Sequence, residues 1–293
     1  MSTISTSWPR ISLVTPVFNS ARYLEQTIRS VLAQNYPNLE YFIMDGGSTD
    51  GTLDIIRKYE AQISGWVSER DRGMYDAINK GFARTSGEVM GWISATDQLQ
   101  IGGLGVVGSV FRDFPEVEWI TGRPTIFNDD GMTIRVLALP RWSRPRFLAG
   151  ANRYIQQEST YWRRSLWEKA GGRTDDSQRS ASDFELWLRF FQHAQLYSVD
   201  ALIGGFRVHP DSDALTTLDN YHRICEEHVS RAVAALEGHQ AVKLFRRITR
   251  ALQPVPVLGR AWNRLAMSKL YQRPGRDFPP VITYQGDKWK ASL

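Results

Sequence analysis

Apolar segments alternate with segments of helical periodicity over the first 115 residues of the chain. Short, mostly apolar runs typical of buried strands occur at residues 11–18, 39–44, 66–67 and 88–94. Between them, apolar residues recur at helical spacing within residues 24–32, 53–59 and 74–83. Strands that alternate with helices predict βαβ units, so we expect an α/β fold with a mostly parallel, Rossmann-like central sheet flanked by helices.

The pattern changes beyond residue 115. Strand-like residues 117–121 and 132–137 flank the turn-forming residues 128–131, which predicts a hairpin. Residues 139–157 contain two prolines and four arginines with little periodicity, and are predicted to be a loop. The remaining predicted elements are a strand at 202–208 and helices at 165–170, 183–192, 216–236, 241–251 and 259–271.

Aspartates follow predicted strands or begin a predicted helix at four places, Asp45, Asp71, Asp97 and Asp183. Each is also a common capping or turn residue, and residues 45–52 alone fit an ordinary Asp-Gly turn before a helix. In a parallel sheet, however, the carboxyl ends of the strands share one edge, so the first three aspartates should lie close together. Clustered carboxylates repel one another unless a cation joins them, and an oxygen-only cluster suits Mg²⁺ or Mn²⁺.

His209 follows the predicted strand 202–208 and is a candidate further metal ligand, although a lone histidine there is more often an ordinary surface residue. Other ligand classes fit the sequence less well. The segment after the first predicted strand lacks the G-x-G-x-x-G pattern of dinucleotide-binding folds. No G-x-x-x-x-G-K-[ST] phosphate loop and no G-x-S-x-G nucleophile elbow occur in the chain.

Three segments resemble, in order and spacing, successive motifs of the family-2 glycosyltransferases. They are Val-Thr-Pro-Val-Phe-Asn at 14–19, Met-Asp-Gly-Gly-Ser-Thr-Asp-Gly-Thr at 44–52, and the segment 68–81 that begins Ser-Glu-Arg-Asp-Arg-Gly. The resemblance extends over residues 9–212 and implies a GT-A fold, a nucleotide-sugar donor and an inverting transfer.

The same resemblance implies a division of the chain. Residues 1–215 would form the GT-A catalytic domain, with a nucleoside-binding half at 9–115 and an acceptor half at 116–215. Residues 216–293 would form a helical, basic C-terminal extension.

The resemblance also implies roles for particular residues. Those that would hold the nucleoside are Pro16, Phe18, Asp45 and Asp71, and Lys80 would lie near the diphosphate. Asp97 matches the metal-binding acid of the family's Asp-rich motif. Asp183 matches the general base of the later acidic motif, and His209 matches a position where relatives often carry a histidine near the metal and diphosphate.

Thr96 is a departure from the family pattern, because it stands where a further acid usually precedes the metal-binding aspartate. A threonine hydroxyl is able to hydrogen-bond a ribose hydroxyl but adds no charge. Metal affinity or donor choice is therefore expected to differ from that of relatives with two adjacent acids.

The implied reaction is a single displacement. Asp183 would remove the proton of an acceptor hydroxyl, while a divalent ion on Asp97 would offset the charge of the departing nucleoside diphosphate. We expect a saccharide or lipid-linked acceptor in bacterial cell-surface polysaccharide or glycolipid synthesis. Two alternatives stay open: a non-catalytic partner in a glycan-assembly complex, which Thr96 would suit, and a sugar-nucleotide nucleotidyltransferase. The latter should carry a Gly-rich, basic loop after the first strand, which this sequence lacks.

Several polar and aromatic side chains allow two interpretations. Gln156 and Gln157 precede a strand-like segment and either hydrogen-bond sugar hydroxyls or are ordinary polar loop residues. Trp142 is a candidate for stacking on a sugar or for touching a membrane. The tryptophans expected in the core are Trp92, Trp162, Trp167 and Trp187.

The net charge of +5 is concentrated near the C-terminus. Residues 241–276 hold nine of the 36 Lys and Arg and no acid, which leaves 27 basic against 31 acidic residues elsewhere. A basic segment with an apolar stripe fits either a helix at an anionic membrane surface or a helix pair packed on the catalytic domain. No nucleic-acid-binding motif accompanies it, so we expect no nucleic-acid partner.

The remaining composition bears on the compartment. Cys225 is the single cysteine, which excludes an intrachain disulfide and a cysteine-built metal site and suits a reducing cytosol. The N-terminal residues show no secretion signal, and no apolar run reaches the roughly 20 residues of a membrane span. We therefore expect a cytoplasmic protein, either free or peripheral on the inner face of the cytoplasmic membrane.

Overall fold

The computed structural model describes residues 7–148, 154–178, 180–210, 218–235 and 278–292, together with residues 244, 247 and 248. The strands are β1 (Ile11–Val17), β2 (Leu39–Asp45), β3 (Gly65–Ser68), β4 (Val89–Trp92), β5 (Gln98–Leu99), β6 (Trp119–Thr121), β7 (Thr125–Phe127), β8 (Thr133–Val136), β9 (Thr160–Arg163), β10 (Leu196–Ser198), β11 (Gly204–Arg207), β12 (Val281–Gln285) and β13 (Lys288–Ser292). The α-helices are α1 (Ala21–Leu32), α2 (Thr52–Tyr59), α3 (Met74–Phe82), α4 (Gly103–Asp113), α5 (Arg144–Leu148), α6 (Arg164–Lys169), α7 (Ser182–His193) and α8 (Leu218–Ala234). Short 3₁₀ turns occupy Glu60–Gln62 and Gln157–Ser159.

The central layer is a seven-stranded sheet of order β10-β6-β9-β4-β1-β2-β3. Strand β1 pairs in parallel with β2 and β4, and only β9 runs antiparallel to its neighbours. Every residue of β1 is buried, as expected for a parallel strand with helices on both faces. Pro16 is tolerated in this strand because the β1–β4 ladder ends at Val14 opposite Trp92. The predicted α/β fold with a mostly parallel sheet is confirmed.

The helices bury the apolar faces that their periodicity predicts. In α1, Leu24, Ile28 and Val31 are completely buried in the core cluster on one side of the sheet. The other side is rich in aromatic residues, and the four tryptophans expected there are buried, as predicted: Trp92, Trp162, Trp167 and Trp187. Neighbouring indoles pack edge-to-face or stacked, for example Trp92 against Trp162 with centroids 5.3 Å apart.

The structure corrects the interpretation of Trp142. Its side chain is only 3% exposed and belongs to the same aromatic core, together with Phe147 and Phe184. The rings of Phe147 and Phe184 stack 4.8 Å apart in that core. Trp142 is therefore a packing residue, with almost no exposed surface for contact with a sugar or a membrane.

A second, four-stranded sheet of order β5-β11-β7-β8 lies beside the main sheet. The predicted hairpin of residues 117–121 and 132–137 is wrong in one strand, because β6 joins the main sheet and β7 pairs with β8 instead. The turn at 128–131 is correctly placed, but the strand before it starts only at Thr125, after the break at Pro124. The predicted loop 139–157 includes helix α5, which the prediction did not contain.

The C-terminal part of the chain agrees with the prediction only in part. Helix α8 matches the predicted helix 216–236. The predicted helices 241–251 and 259–271 lie outside the described residues, apart from the helical positions 244, 247 and 248. Strands β12 and β13 form an unpredicted hairpin, so the extension is not wholly helical. This hairpin contacts the main domain through a bridge between Val199 and Ile282.

Candidate active site

Asp45 ends strand β2 and is held by its neighbours. Its carboxylate accepts hydrogen bonds from the backbone N–H of Gly47 at 3.0 Å and of Ser48 at 3.1 Å. The hydroxyl of Ser68, at the end of β3, donates to it at 2.6 Å. The Asp-Gly turn expected from the sequence is therefore real, and it fixes a buried carboxylate at the carboxyl edge of the sheet.

Asp71 lies directly against this turn. A Cβ atom added to Gly46 would come within 2.6 Å of Asp71 Oδ2, so only glycine leaves room for the carboxyl group. Burial raises the pKa of Asp71, and the negative charge of Asp45 adds to that rise. Lys80 lowers the same pKa, and its ammonium group pairs with Glu69 at 3.0 Å and with Asp76 at 3.3 Å. The structure thus brings Asp45, Asp71 and Lys80 together.

The end of β1 completes this group. The N–H of Gly46 donates to the carbonyl of Val17 at 2.9 Å, so the segment after Pro16 and the turn after Asp45 are adjacent. Phe18 follows with its side chain 61% exposed, which leaves an aromatic face open at this edge. We call Pro16, Phe18, Asp45, Asp71 and Lys80 the donor group, because the family resemblance predicts that they bind the nucleotide-sugar donor.

Asp97 lies in the turn between β4 and β5, directly before β5, and is 2% exposed. Its Oδ1 accepts the backbone N–H of Arg207 at 2.8 Å. The Arg207 side chain is fully buried, and its guanidinium donates to the carbonyl oxygens of Thr96 and Asp129 and to Gln26. The backbone carbonyl of Thr96 therefore helps to hold the Arg207 side chain in place. The positive charge of Arg207 favours the ionised form of Asp97.

Glu158 is the residue that the sequence analysis missed. It is only 8% exposed, and its carboxyl group hydrogen-bonds to that of Asp97. Burial raises the pKa of Glu158 well above its usual value, and the charge of Asp97 raises it further. Burial also raises the pKa of Asp97, to about 6. Because burial raises the pKa of both groups, the pair holds a proton between its two carboxyl groups. The only indication in the sequence that Glu158 belongs to the site was its position next to the candidate sugar-binding residue Gln157, shortly before β9.

Asp183 lies half-buried in the first turn of α7. The negative charge of Asp183 is a further cause of the raised pKa of Glu158, after burial and Asp97. We call these three residues the carboxyl group cluster. Asp183 follows Ala181, whose φ of 64° is uncommon for a residue with a side chain. Such left-handed residues concentrate at functional sites.

The hydroxyl of Tyr75 donates to Asp183 Oδ1 at 3.3 Å. Burial raises the pKa of Asp183, against the lowering effect of the backbone N–H of Phe184 and the Tyr75 hydroxyl. Tyr75 belongs to helix α3, whose preceding residue Gly73 donates its N–H to Asp71 at 2.8 Å. Helix α3 therefore joins the donor group to the carboxyl group cluster.

The residues around Asp97 fit a hard divalent cation. Mg²⁺ is usually bound through one or two carboxylates together with substrate phosphates, and Asp97 and Glu158 supply such a pair once the proton between them is lost. Within the part of the chain that the structure describes, no three His, Cys, Asp or Glu side chains converge on one metal position. His209 follows Arg207 by two residues, and its ring lies 4.8 Å from that of Tyr23. Its role as a ligand stays a prediction.

The two glutamines hold the loop that carries Glu158. The Gln156 amide accepts from the Thr125 N–H at 2.8 Å and donates to the Thr125 carbonyl at 2.7 Å. Gln157 donates to the carbonyl of Trp92, at the end of β4. These bonds give both amides a structural role, and their contact with a sugar stays a prediction.

The family model described as Glycosyl transferase family 2 matches residues 12–206. The chain belongs to this family. An uncharacterised glycosyltransferase of Mycobacterium tuberculosis is 31% identical over 175 residues, which cover 57% of this chain and 63% of the relative. The Bacillus subtilis teichuronic acid biosynthesis glycosyltransferase TuaG is 37% identical over 97 residues, 32% of this chain and 38% of the relative. The family-2 chain thus spans less than two thirds of either relative.

Solved structures share the fold at low sequence identity. Staphylococcus aureus TarS 1–349 in complex with UDP-GlcNAc aligns with a TM-score of 0.65 at 14% identity, covering 90% of this chain and 76% of TarS 1–349. The mannosyltransferase PcManGT of Pyrobaculum calidifontis, in complex with GDP-Man and Mn²⁺, aligns with a TM-score of 0.60 at 18% identity, covering 91% and 83%. The predicted GT-A fold is therefore confirmed. No helix among the described residues is long and apolar enough to cross a bilayer.

Proposed function

We propose that this family-2 glycosyltransferase moves a sugar from a nucleotide-sugar donor to a hydroxyl of a saccharide or lipid-linked acceptor, with inversion at the anomeric carbon. The observation that carries the proposal is the buried carboxyl pair of Asp97 and Glu158, together with Asp183, which Tyr75 of α3 connects to the donor group. Carboxyl groups with raised pKa values beside a ligand-binding sheet edge are typical of catalytic sites.

The donor group suits the nucleoside part of the donor. Asp45 and Asp71 present acceptor oxygens for the N–H and O–H groups of a base and ribose, and Phe18 offers an open aromatic face. Lys80 would turn from Glu69 and Asp76 toward the diphosphate, which carries more negative charge than either carboxylate. The nucleotide sugars bound to TarS and PcManGT, named as UDP-GlcNAc and GDP-Man, support a donor of this class.

Asp183 would act as the general base. Burial holds its pKa above the usual value for aspartate, which brings its basicity closer to neutral pH, where general bases work best. The Tyr75 hydroxyl fixes the orientation of the carboxylate. A hydroxyl that is deprotonated by Asp183 would attack the anomeric carbon from the face opposite the nucleotide, and the bond to the diphosphate oxygen would break.

Asp97 and Glu158, with His209 as a further candidate, would hold Mg²⁺ or Mn²⁺. When bound, such a cation offsets the negative charge that grows on the leaving diphosphate. The Mn²⁺ in the PcManGT complex supports a cation of this kind. Buried Arg207, which lies against Asp97, would keep that carboxylate in place before donor and cation arrive.

The biological role that we propose is synthesis of bacterial cell-surface polysaccharide or glycolipid. The name of TuaG, which refers to teichuronic acid biosynthesis, supports it. The Bacillus subtilis glycosyltransferase EpsE aligns over nearly the whole chain at 23% identity, covering 90% of this chain and 96% of EpsE. A cytoplasmic site of action, with peripheral membrane contact through the basic residues 241–276, belongs to the same proposal.

A thermal-shift screen of the purified chain tests the proposal. The ligands are UDP, GDP, UDP-GlcNAc and GDP-Man, each with and without Mn²⁺. A ligand that binds only the folded state raises the melting temperature by mass action, so a shift of several degrees that needs Mn²⁺ is expected for at least one of them. Slow release of nucleoside diphosphate from the same donor would show catalysis. Binding without any release or transfer would favour the non-catalytic partner role, and no binding at all would contradict the proposal.

A further inference from the structure

Helix α8 brings two aromatic side chains against the loop that leads to Glu158. The rings of Tyr154 and Tyr221 are nearly parallel, with 13° between their planes and 5.7 Å between their centroids. The Tyr154 hydroxyl also hydrogen-bonds to Nε2 of His222. Tyr154 nevertheless stays 52% exposed. Because Tyr221 stacks on one face of its ring, the exposed surface includes the opposite face.

This pair adjoins the proposed general base. Tyr221 packs on the aromatic core cluster that contains Tyr75, Phe184 and Cys225. Helix α8, which carries Tyr221, packs on α7, whose first turn carries Asp183, and His228 of α8 hydrogen-bonds to Gln178 just before α7. The Tyr75 hydroxyl bonded to Asp183 belongs to the same cluster.

The three residues that follow Tyr154 are fixed by packing and hydrogen bonds. Ile155 is 5% exposed in the aromatic core, and Gln156 and Gln157 bond to strands β7 and β4. Because Ile155 points inward, Tyr154 points outward, only four residues before Glu158. Neither Tyr154 nor α8 belongs to the donor group, so the surface that they form is a candidate site for the second substrate.

We propose that Tyr154, backed by Tyr221 and His222, is the acceptor platform, on which a pyranose ring of the acceptor stacks with its reacting hydroxyl toward Asp183. A pyranose presents a face of C–H groups, which packs on an aromatic ring while its hydroxyls stay available for hydrogen bonds. Tyrosine provides a rigid contact area at low entropic cost, and the His222 bond fixes the ring before binding. This inference rests on the proposed glycosyltransferase function and adds the segment of the chain that selects the acceptor.

The test separates acceptor binding from donor chemistry. The probes are the methyl β-glycosides of glucose, galactose, mannose and N-acetylglucosamine, whose binding is measured by saturation-transfer difference NMR with UDP and Mn²⁺ present. Release of UDP from UDP-GlcNAc and of GDP from GDP-Man, in the absence of acceptor, reports donor chemistry. The variants are Tyr154→Ala, Tyr154→Phe, and the control Tyr284→Ala, which removes a similarly exposed tyrosine from β12.

We expect the wild-type chain to bind at least one glycoside, and Tyr154→Ala to weaken that binding about tenfold, with unchanged nucleotide release. Tyr154→Phe, which keeps the ring and loses the bond to His222, should retain most of the affinity. Tyr284→Ala should match the wild type. Because Tyr154 is half exposed, its removal should leave the fold intact, which the melting temperature checks.

The inference and the proposed function fail in different ways. Nucleotide release by the wild type together with unchanged glycoside binding by Tyr154→Ala would overturn the acceptor platform and leave the glycosyltransferase proposal standing. Nucleotide release without binding of any of the four glycosides would also overturn the platform. A wild-type chain that neither binds nor cleaves a nucleotide sugar would overturn the proposed function, and the acceptor platform with it.

Discussion

The carboxyl groups of Glu158 and Asp97 hydrogen-bond to each other, and both side chains are more than nine-tenths buried. Two carboxyl groups in contact in the interior hold one proton between them, because two buried negative charges would repel each other. We propose that Glu158 supplies, from a distant part of the sequence, the second acid that is missing at Thr96.

The first prediction concerns this pair. Glu158→Gln should weaken Mn²⁺ binding in the presence of UDP by at least about tenfold, because it removes one of two carboxylates available to the cation. Electron paramagnetic resonance of free Mn²⁺ measures the affinity. The control Glu118→Gln changes a surface glutamate that pairs with Lys169, and should bind Mn²⁺ like the wild type.

A compensating variant makes the test of Glu158 stricter. Thr96→Asp in the Glu158→Gln background places an acid where the family usually has one, and should recover part of the Mn²⁺ affinity. Wild-type affinity in Glu158→Gln alone would show that Glu158 has no part in cation binding.

The second prediction concerns the general base. Asp183→Asn keeps an acceptor for the Tyr75 hydroxyl and removes the basic oxygen, so the transfer rate should fall by at least about a hundredfold. Affinity for the nucleotide donor should stay within a few-fold of the wild type. Both quantities come from one assay of nucleotide release against donor concentration, and nearly unchanged turnover would remove Asp183 from this role.

The third prediction follows from the raised pKa of Asp183. A carboxyl group whose pKa is higher in the folded than in the unfolded chain stabilises the fold fully below the unfolded pKa, which is about 3.9 for aspartate. That stabilisation is lost as the pH rises through the folded pKa. Asparagine does not ionise, so Asp183→Asn should gain in melting temperature relative to the wild type as the pH rises from about 4 to 8. A difference that shrinks over this range would contradict the assignment.

The fourth prediction concerns the donor group. In Gly46→Ala the new methyl group would lie 2.6 Å from Asp71 Oδ2 and push that carboxyl group out of position. UDP or GDP binding should weaken by roughly tenfold or more, as is usual when a buried polar contact to a ligand is lost. Isothermal titration calorimetry measures the change.

Gly105→Ala is the matched control for Gly46→Ala. Gly105 lies in helix α4, where an added Cβ meets no atom within 4 Å. Alanine there should raise the free energy of unfolding by about 0.5–1 kcal/mol through its better helix propensity. Nucleotide binding should not change. Equal loss of binding in both variants would mean that the effect of Gly46→Ala is not local to Asp71.

Local sequence patterns determined a large part of this protein. The alternation of apolar runs and helical spacing over residues 11–115 predicted strands β1 to β4 and helices α1 to α3, because burial on a sheet or helix face follows the period of each element. The same local logic predicted that Asp45, Asp71 and Asp97 share one sheet edge, since parallel strands share their carboxyl ends, and the structure brings Asp71 against the turn after Asp45. The motifs that carry the family resemblance are also local, and the match over residues 12–206 confirmed the family.

Tertiary structure alone decided the contacts between segments that lie far apart in the chain. Nothing near Glu158 in the sequence indicates that it meets Asp97, 61 positions earlier, or that Arg207 is buried against both Thr96 and Asp97. The predictions that Trp142 contacts a sugar or a membrane, and that residues 117–121 pair with the strand now called β8, were wrong for the same reason. A side chain's burial and a strand's pairing depend on which distant surfaces pack together, and that packing, unlike periodicity, leaves no repeating trace along the chain.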